Sequence, residues 1–301
     1  MRVFRYRGAA ARIAAVFLIA CVGLAAIIVE RNYRGAHSEL EADPPSPLLK
    51  DPRSAGVAEL QAVSFVSADG LHIAGWYVPS KNRAAVIVTH GTNSDRSTML
   101  PEIRLLADAG FGVLAFDWPG LGESEGPILW GSGARNALGA AVSWVAARGD
   151  VDRDRIGGLG FSMGGALTAQ VAATDRRLRA VVLESAPSSS EKFIDEHFSK
   201  WPFLSAWAAR LAWRGSDLLS AERTPVRMIG GISPRPLLII GQTEDPVIPA
   251  SMQRALYAAA GEPKTLWLIE GDDHGGFAQI AGPEYGRRLQ AFFTAGLLQS
   301  P

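Results

Sequence analysis

A serine, a histidine and an aspartate in three separate loops could together perform nucleophilic catalysis. Ser162 lies in the sequence Gly-Phe-Ser-Met-Gly at positions 160–164, between an apolar run and a helical pattern that is rich in small residues. Asp245 and His274 each follow a later apolar run. A serine hydroxyl becomes a nucleophile when a histidine takes its proton and a carboxylate orients that histidine. These residue types therefore predict attack on an ester, thioester or amide carbonyl, followed by hydrolysis of the acyl-enzyme.

The Gly-x-Ser-x-Gly sequence is informative because of where it lies. In a chain with 32 glycines such a match also arises by chance, so the five residues alone carry little weight. A sharp turn from a strand into a helix would hold Ser162 in a strained conformation, and glycines on both sides would avoid clashes there. The N–H group of Met163 would then point toward a developing oxyanion. An ordinary glycine-rich turn between a strand and a helix is the alternative.

Eight short apolar runs predict the strands that must position these residues. The first two flank Asp69-Gly70, which is a hairpin signal, and the others alternate with helical patterns such as Ala137–Ala147. Apolar strands joined by helices are typical of a mostly parallel sheet with helices on both faces, and the carboxyl ends of its strands share one edge. We therefore expect a mixed α/β sheet of about eight strands, with Ser162, Asp245 and His274 converging at that edge. The predicted strands are Val63–Val66, Leu71–Val78, Ala85–Thr89, Gly112–Phe116, Ile156–Gly160, Ala180–Leu183, Leu237–Ile240 and Thr265–Ile269.

Two further motifs give the chain a family resemblance. His-Gly-Thr-Asn at 90–93 and Asp-Trp-Pro-Gly-Leu-Gly-Glu-Ser at 117–124 follow predicted strands. Together with the serine motif and the order Ser, Asp, His, the chain from about residue 63 to 298 resembles serine hydrolases of the α/β-hydrolase superfamily. The resemblance implies the α/β-hydrolase fold, Asp245 as the acid, His274 as the base, and the Thr92 N–H as a second oxyanion donor beside that of Met163. Within the superfamily, the chain looks most like membrane-anchored members that resemble esterases, lipases and serine aminopeptidases.

Some assignments have competitors. Glu244 is one residue from Asp245 and could be the acid, although the motif position favours Asp245. Some members of the superfamily place the acid after an earlier strand, where this chain has Glu184. The two aspartates before His274 are expected to shape its turn, and His90 is expected to support its own loop by hydrogen bonding.

A long insertion separates two of the predicted strands. Residues 186–236 contain six aromatic side chains and are expected to form a small helical cap, which would cover the serine with an apolar pocket. The expected substrate is therefore a small-molecule acyl ester or a lipid-like ester. The alternative activities are those of a peptidase or amidase, a C–C hydrolase and an acyltransferase. The aromatic residues are Phe193, Phe198, Trp201, Phe203, Trp207 and Trp213.

The N-terminus has the composition of a membrane anchor. Residues 13–29 form an uncharged apolar run, preceded by a basic segment at 1–12 with four arginines and followed by a proline-rich stalk at 30–59. This charge asymmetry predicts a single-pass helix with a cytoplasmic N-terminus, which would place the hydrolase domain at 60–301 outside the cytoplasm. A cleaved signal peptide is one alternative. A lipoprotein is another, because Leu-Ile-Ala-Cys at 18–21 resembles a lipobox ending at Cys21.

The overall composition excludes several classes of protein. The 301 residues include 30 Lys and Arg and 30 Asp and Glu, so the chain lacks the basic excess of a nucleic-acid-binding protein. A single cysteine excludes an intrachain disulfide framework and a multi-cysteine zinc site. A hydrophobic content of 48% is too high for a disordered chain. We expect no metal and no cofactor, because no cluster has metal-ligand spacing and no glycine loop has a phosphate-binding pattern.

Overall fold

The computed structural model describes residues 22–34, 55–189, 191–193, 202–203, 205, 207–208 and 223–299. The chain divides into two compact units, one of Met1–Ala42 with Ile194–Ser216 and one of Asp43–Phe193 with Asp217–Pro301. The described part of the first unit is helical at residues 22–34 and at a few positions between 203 and 208. The second unit contains the sheet and all the candidate site residues.

The sheet has eight strands in the order β1-β2-β4-β3-β5-β6-β7-β8. The pairs β1–β2 and β2–β4 are antiparallel, and every other pair is parallel. The prediction of a mixed, mostly parallel sheet that begins with a hairpin is therefore confirmed. The strands are β1 (Gln61–Val66), β2 (His72–Val78), β3 (Ala85–Thr89), β4 (Gly112–Phe116), β5 (Ile156–Phe161), β6 (Leu178–Glu184), β7 (Leu237–Gln242) and β8 (Lys264–Ile269).

Helices cover both faces of this sheet, because the central strands are apolar on both sides. All residues of β3 and β4 are buried. One face packs against α1 and α7, and the other against α2, α3 and α5. Ten of the twelve residues of α3 are buried, which explains its small side chains. The helices are α1 (Leu100–Asp108), α2 (Ser132–Ala146), α3 (Met163–Thr174), α4 (Pro225–Met228), α5 (Ala250–Ala259), α6 (Phe277–Ile280) and α7 (Pro283–Leu297).

Several predictions for the N-terminus and the cap fall partly outside the described residues. This holds for the basic segment 1–12, for residues 13–21 of the predicted anchor with Cys21, and for residues 35–54 of the stalk. Within the described parts of the chain, no helix is both long enough and apolar enough to cross a membrane. Residue 190 and, apart from 202–203, 205 and 207–208, residues 194–222 of the predicted cap also lie outside the described residues.

Candidate active site

The structure brings the three predicted side chains together at the carboxyl edge of the sheet. Nε2 of His274 lies 3.0 Å from Oγ of Ser162. Nδ1 of the same ring lies 2.9 Å and 3.1 Å from the two carboxylate oxygens of Asp245. When Nδ1–H donates to the carboxylate, Nε2 carries a lone pair and can accept the serine proton. This is the arrangement that an activated serine requires.

Ser162 has a strained backbone conformation at the tight turn between β5 and α3. Its φ of +53° lies in the left-handed region, which costs a residue with a side chain about 1–3 kcal/mol. A Cβ at Gly160 would lie 2.5 Å from the carbonyl oxygen of Gly164, and one at Gly164 would lie 2.4 Å from that of His90. Only glycine fits at either position. The predicted strained turn is thus present.

Asp245 is buried and held by hydrogen bonds to both of its oxygens. Oδ1 accepts the backbone N–H groups of Val247 and Ile248, each at 2.8 Å. Oδ2 accepts the hydroxyl of Ser185 at 2.8 Å, in addition to the His274 contact. Burial alone would raise the pKa of this carboxyl, but the hydrogen bonds and the adjacent imidazole outweigh it and lower the pKa below its usual value. Asp245 therefore stays ionised beside the ring.

Ser185 was missed at the sequence level. It follows β6 directly, is fully buried, and has a φ of +40°. Its backbone N–H donates to the carbonyl of Ile240 at 2.9 Å, which fixes the residue against β7. The sequence did contain a signal for Ser185. It follows an apolar strand directly, as Ser162 follows β5, and the carboxyl ends of parallel strands lie at the same edge of the sheet.

The Asp117–Ser124 segment stabilises the loops around the site. Asp117 is fully buried and accepts the backbone N–H of Arg96 at 2.8 Å and that of Glu123 at 2.9 Å, and the Arg96 guanidinium also binds it. Burial raises the pKa of Asp117 to about 6, although the guanidinium opposes this shift. A Cβ at Gly122 would lie 2.1 Å from the Asp117 carboxylate, so the motif requires glycine there.

His90 supports its loop, as predicted. Its Nδ1 lies 2.8 Å from the carbonyl oxygen of Gly91, and the indole N–H of Trp118 donates to the His90 carbonyl at 2.9 Å. The ring is completely buried, and this burial lowers its pKa to about 4. His90 is therefore neutral at pH 7 and has a structural role.

Sequence comparison identifies the family to which this fold and site belong. The sequence profile of a family described as alpha/beta hydrolase fold matches residues 84–214. The uncharacterized protein YfhR of Salmonella typhi is 31% identical over 234 residues, which cover 72% of this chain and 75% of that protein. The chain belongs to the α/β-hydrolase superfamily.

Solved structures with the same fold include an esterase and a protein related to a transferase. The Pyrococcus furiosus esterase Pf2001 matches this α/β-hydrolase with a TM-score of 0.70 at 23% identity, over 84% of this chain and 99% of its own. The α/β-hydrolase GrgF of Penicillium sp. matches with a TM-score of 0.67 at 20% identity, over 80% and 99%. By sequence, the polyketide transferase grgF is 32% identical over 125 residues, 40% of this chain and 42% of that protein. The structural matches show the fold alone.

The two residues predicted to supply oxyanion donors in this α/β-hydrolase belong to segments that adjoin Ser162. Met163 directly follows the serine as the first residue of α3. The loop with Thr92 packs against the serine, since a Cβ at Gly91 would lie 3.1 Å from that of Ser162. Thr92 also lines a cavity of about 250 Å³ beside His274.

In the described part of the chain, neither Glu184 nor Glu244 forms a hydrogen bond with the imidazole of His274. Glu184 binds the hydroxyl of Tyr285 at 2.5 Å, so its carboxyl serves another contact. Glu244 is exposed, and the Asp273 carboxylate accepts the backbone N–H of His274 at 2.7 Å, which shapes the turn as predicted. Among the described residues, no group of three or more His, Cys, Asp or Glu side chains is arranged to hold a metal ion.

Proposed function

We propose that this α/β-hydrolase is a serine hydrolase that cleaves carboxylic esters through an acyl-enzyme. The observation that carries the proposal is the continuous hydrogen-bonded series from Ser162 through His274 to Asp245, with distances of 3.0 Å and 2.9 Å. The similarity in fold to a solved esterase supports the same class of reaction.

In the proposed reaction, Ser162 attacks the carbonyl carbon while His274 removes its proton. Asp245 holds the ring in the required tautomer and stabilises the imidazolium that forms. The N–H groups of Thr92 and Met163 bind the oxyanion of the tetrahedral intermediate, and each such donor typically contributes about 3–4 kcal/mol. His274 then protonates the leaving group, and a water activated by the same ring hydrolyses the acyl-enzyme.

A fluorophosphonate probe tests this proposal directly, since it labels activated serines. We expect the wild-type chain to be labelled, the Ser162→Ala variant to be unlabelled, and the exposed-serine variant Ser143→Ala to be labelled like the wild type. Thermal unfolding shows whether each variant is folded. Labelling of a folded Ser162→Ala variant would falsify the assignment.

Acyl transfer is a second candidate reaction, favoured by the similarity to the polyketide transferase. The same acyl-enzyme would pass its acyl group to an alcohol or amine in place of water. Product analysis of a p-nitrophenyl ester with added alcohols separates the two, because transfer yields a new ester. A panel from acetate to laurate, with matched amides, measures preference for acyl length and bond type, including the lipid-like substrates expected from an aromatic cap.

The apolar N-terminal run supports a separate proposal, that residues 13–29 anchor the domain to a membrane with the N-terminus in the cytoplasm. It rests on the sequence pattern alone. Mass spectrometry of the N-terminus from the membrane fraction tests it. An intact first segment supports the anchor, whereas a chain that begins near Cys21 supports the lipoprotein and a chain that begins later supports a cleaved signal.

A further inference from the structure

The cavity beside His274 contains two buried carboxyl groups that the proposed reaction does not use. Glu102 comes from the first turn of α1 and Glu184 from the end of β6, and they are only 7% and 1% exposed. The hydroxyl of Tyr285, on α7, lies 2.5 Å from Glu184 and 3.1 Å from Glu102. Both carboxyls line the same cavity as His274 and the predicted oxyanion residue Thr92.

The carboxyl pair has too few hydrogen-bond donors. Tyr285 has a single hydroxyl proton for two carboxyls, and among the described residues the only further donor is the backbone N–H of Glu102 to its own side chain. Oε2 of Glu184 accepts no hydrogen bond from any described residue, although the side chain is almost completely buried. Four carboxyl oxygens therefore share two donors.

The pair also lacks a compensating positive charge. Among the residues that the structure describes, no Lys, Arg or His forms an ion pair with Glu102 or Glu184. Burial consequently raises the pKa of Glu102 to about 7, and burial together with the neighbouring Glu102 raises the pKa of Glu184 well above its usual value. A buried carboxylate is unfavourable without a cation or sufficient donors, so the pair favours its protonated form, and a cation that binds there would replace a proton.

We propose that the Glu102–Glu184 pair binds a protonated amine, and that substrates of this enzyme carry such a group close to the scissile carbonyl. An ammonium group supplies three donors and one positive charge, which are what the pair lacks, whereas a hydroxyl supplies one donor and no charge. Phe161, Met99 and Phe277 line the same cavity and would contact the methylenes between the amine and the carbonyl. This inference rests on the proposed function, because it assigns the substrate of the same site.

The size of the cavity favours a short amine. Its volume of about 250 Å³ lies below the range of about 300–1,000 Å³ typical of drug-sized ligand sites. A purely structural role, in which the carboxyls and Tyr285 only join β6, α1 and α7, is the competing interpretation. The two differ in one measurable respect, because a structural pair gives no preference for an amine over an alcohol of the same length.

Calorimetric titration of the full-length chain with n-pentylammonium chloride and with 1-pentanol measures this preference without turnover. We expect the ammonium to bind at least tenfold more tightly than the alcohol at pH 7.5. Glu184→Gln should reduce that ratio to below threefold. Asp108→Asn, which removes an exposed carboxylate from the same helix as Glu102, should retain it. If Glu184→Gln does not fold, Glu102→Gln serves the same purpose. The ratio of amine to alcohol affinity in the wild type tests the proposal without either variant.

Inhibition of p-nitrophenyl acetate hydrolysis locates the amine. Competitive inhibition by pentylammonium supports the proposal, whereas selective binding without competition would place the amine elsewhere and overturn it. Equal affinity of the wild type for amine and alcohol, with ester hydrolysis intact, would refute this inference and leave the proposed function standing. Selective binding of the amine by a chain that hydrolyses no ester would support amine binding by the carboxyl pair and refute the proposed function.

Discussion

Replacing Asp245 by asparagine tests the proposed proton path with a change of one functional group. The backbone N–H groups of Val247 and Ile248 both donate to Oδ1 at 2.8 Å, so they fix the amide oxygen of the asparagine at that position. The NH2 group must then take the place of Oδ2, which lies 2.9 Å from Nδ1 of His274 and 2.8 Å from the hydroxyl of Ser185.

This orientation selects the wrong tautomer of His274. The NH2 group at the closer position only donates hydrogen bonds, and Oδ1, 3.1 Å from Nδ1, already accepts two backbone N–H groups, so we expect Nδ1 to accept and the proton to move to Nε2. Nε2, 3.0 Å from the oxygen of Ser162, can then donate but cannot remove the serine proton. Loss of the base together with loss of the carboxylate charge is expected to reduce kcat about 10⁴-fold, or about 5.5 kcal/mol in activation free energy.

The assay is steady-state hydrolysis of p-nitrophenyl butyrate. KM is expected to change less than about threefold, because Asp245 acts on the histidine and has no proposed contact with the substrate. Glu244→Gln is the matched control, since it neutralises the exposed neighbouring acid, and its kcat should stay within twofold of the wild type. The reasoning is wrong if a folded Asp245→Asn chain keeps more than a tenth of the wild-type kcat, or if Glu244→Gln loses as much.

Three further changes test the surroundings of the site. Ser185→Ala removes one hydrogen bond from Asp245, so kcat for p-nitrophenyl butyrate should fall about threefold to tenfold, and an unchanged kcat would contradict a positioning role. Gly164→Ala places a Cβ 2.4 Å from the carbonyl oxygen of His90 and should lower the free energy of unfolding in urea by about 1–3 kcal/mol. A fully stable variant would show that the turn can relax. Burial lowers the pKa of His90 to about 4, so between pH 6.5 and pH 4 only the unfolded chain takes up this proton and stability falls by up to about 3 kcal/mol. In urea unfolding measured at several pH values, His90→Gln should lose less stability between pH 6.5 and pH 4 than the wild type. Equal losses in the two chains would contradict this prediction.

The central strands were predictable because their residues are apolar on both faces. β3 and β4 match the predicted ranges Ala85–Thr89 and Gly112–Phe116 at both ends, since buried apolar runs stop where the chain turns polar. β6 and β7 extend further than predicted, and the added ends carry Glu184 and Gln242. A polar residue at the end of a strand breaks the apolar pattern, although the backbone remains in the sheet.

The carboxyl pair in the cavity could not be predicted from any local pattern. Glu102, Glu184 and Tyr285 lie on a helix, a strand and another helix, far apart in the sequence. Glu102 is one of two acidic residues on an amphipathic helix, and only the packing of α1 and α7 on the same face of the sheet brings it to Glu184. Such contacts depend on side-chain directions across the fold, which spacing along the chain does not encode.

Backbone hydrogen bonds of the sheet position Ser162 and also Ser185, which holds Asp245, whereas His274 lies in a loop. The backbone N–H of Ser162 donates to the backbone carbonyl of Glu184 at 2.8 Å, and that of Ser185 donates to the backbone carbonyl of Ile240 at 2.9 Å. The hydrogen bonding between strands therefore continues one residue past β5 and β6. Both serines have positive φ, and the strain is compensated by these bonds.

His274 depends instead on a side chain at the end of β7. Nε2 of Gln242 donates to the carbonyl of Gly275 at 2.5 Å, and its Oε1 accepts the N–H of Asp273 at 3.0 Å, so one buried amide holds the loop on both sides of the histidine. A carboxylate at 242 would lose the donor to Gly275, and an aliphatic residue would lose both bonds. The hydrogen bonds that hold Ser162 and the Asp245 carboxylate do not involve the Gln242 side chain and would remain in either case. Gln242 is therefore the residue that fixes the position of the His274 loop relative to the rest of the site.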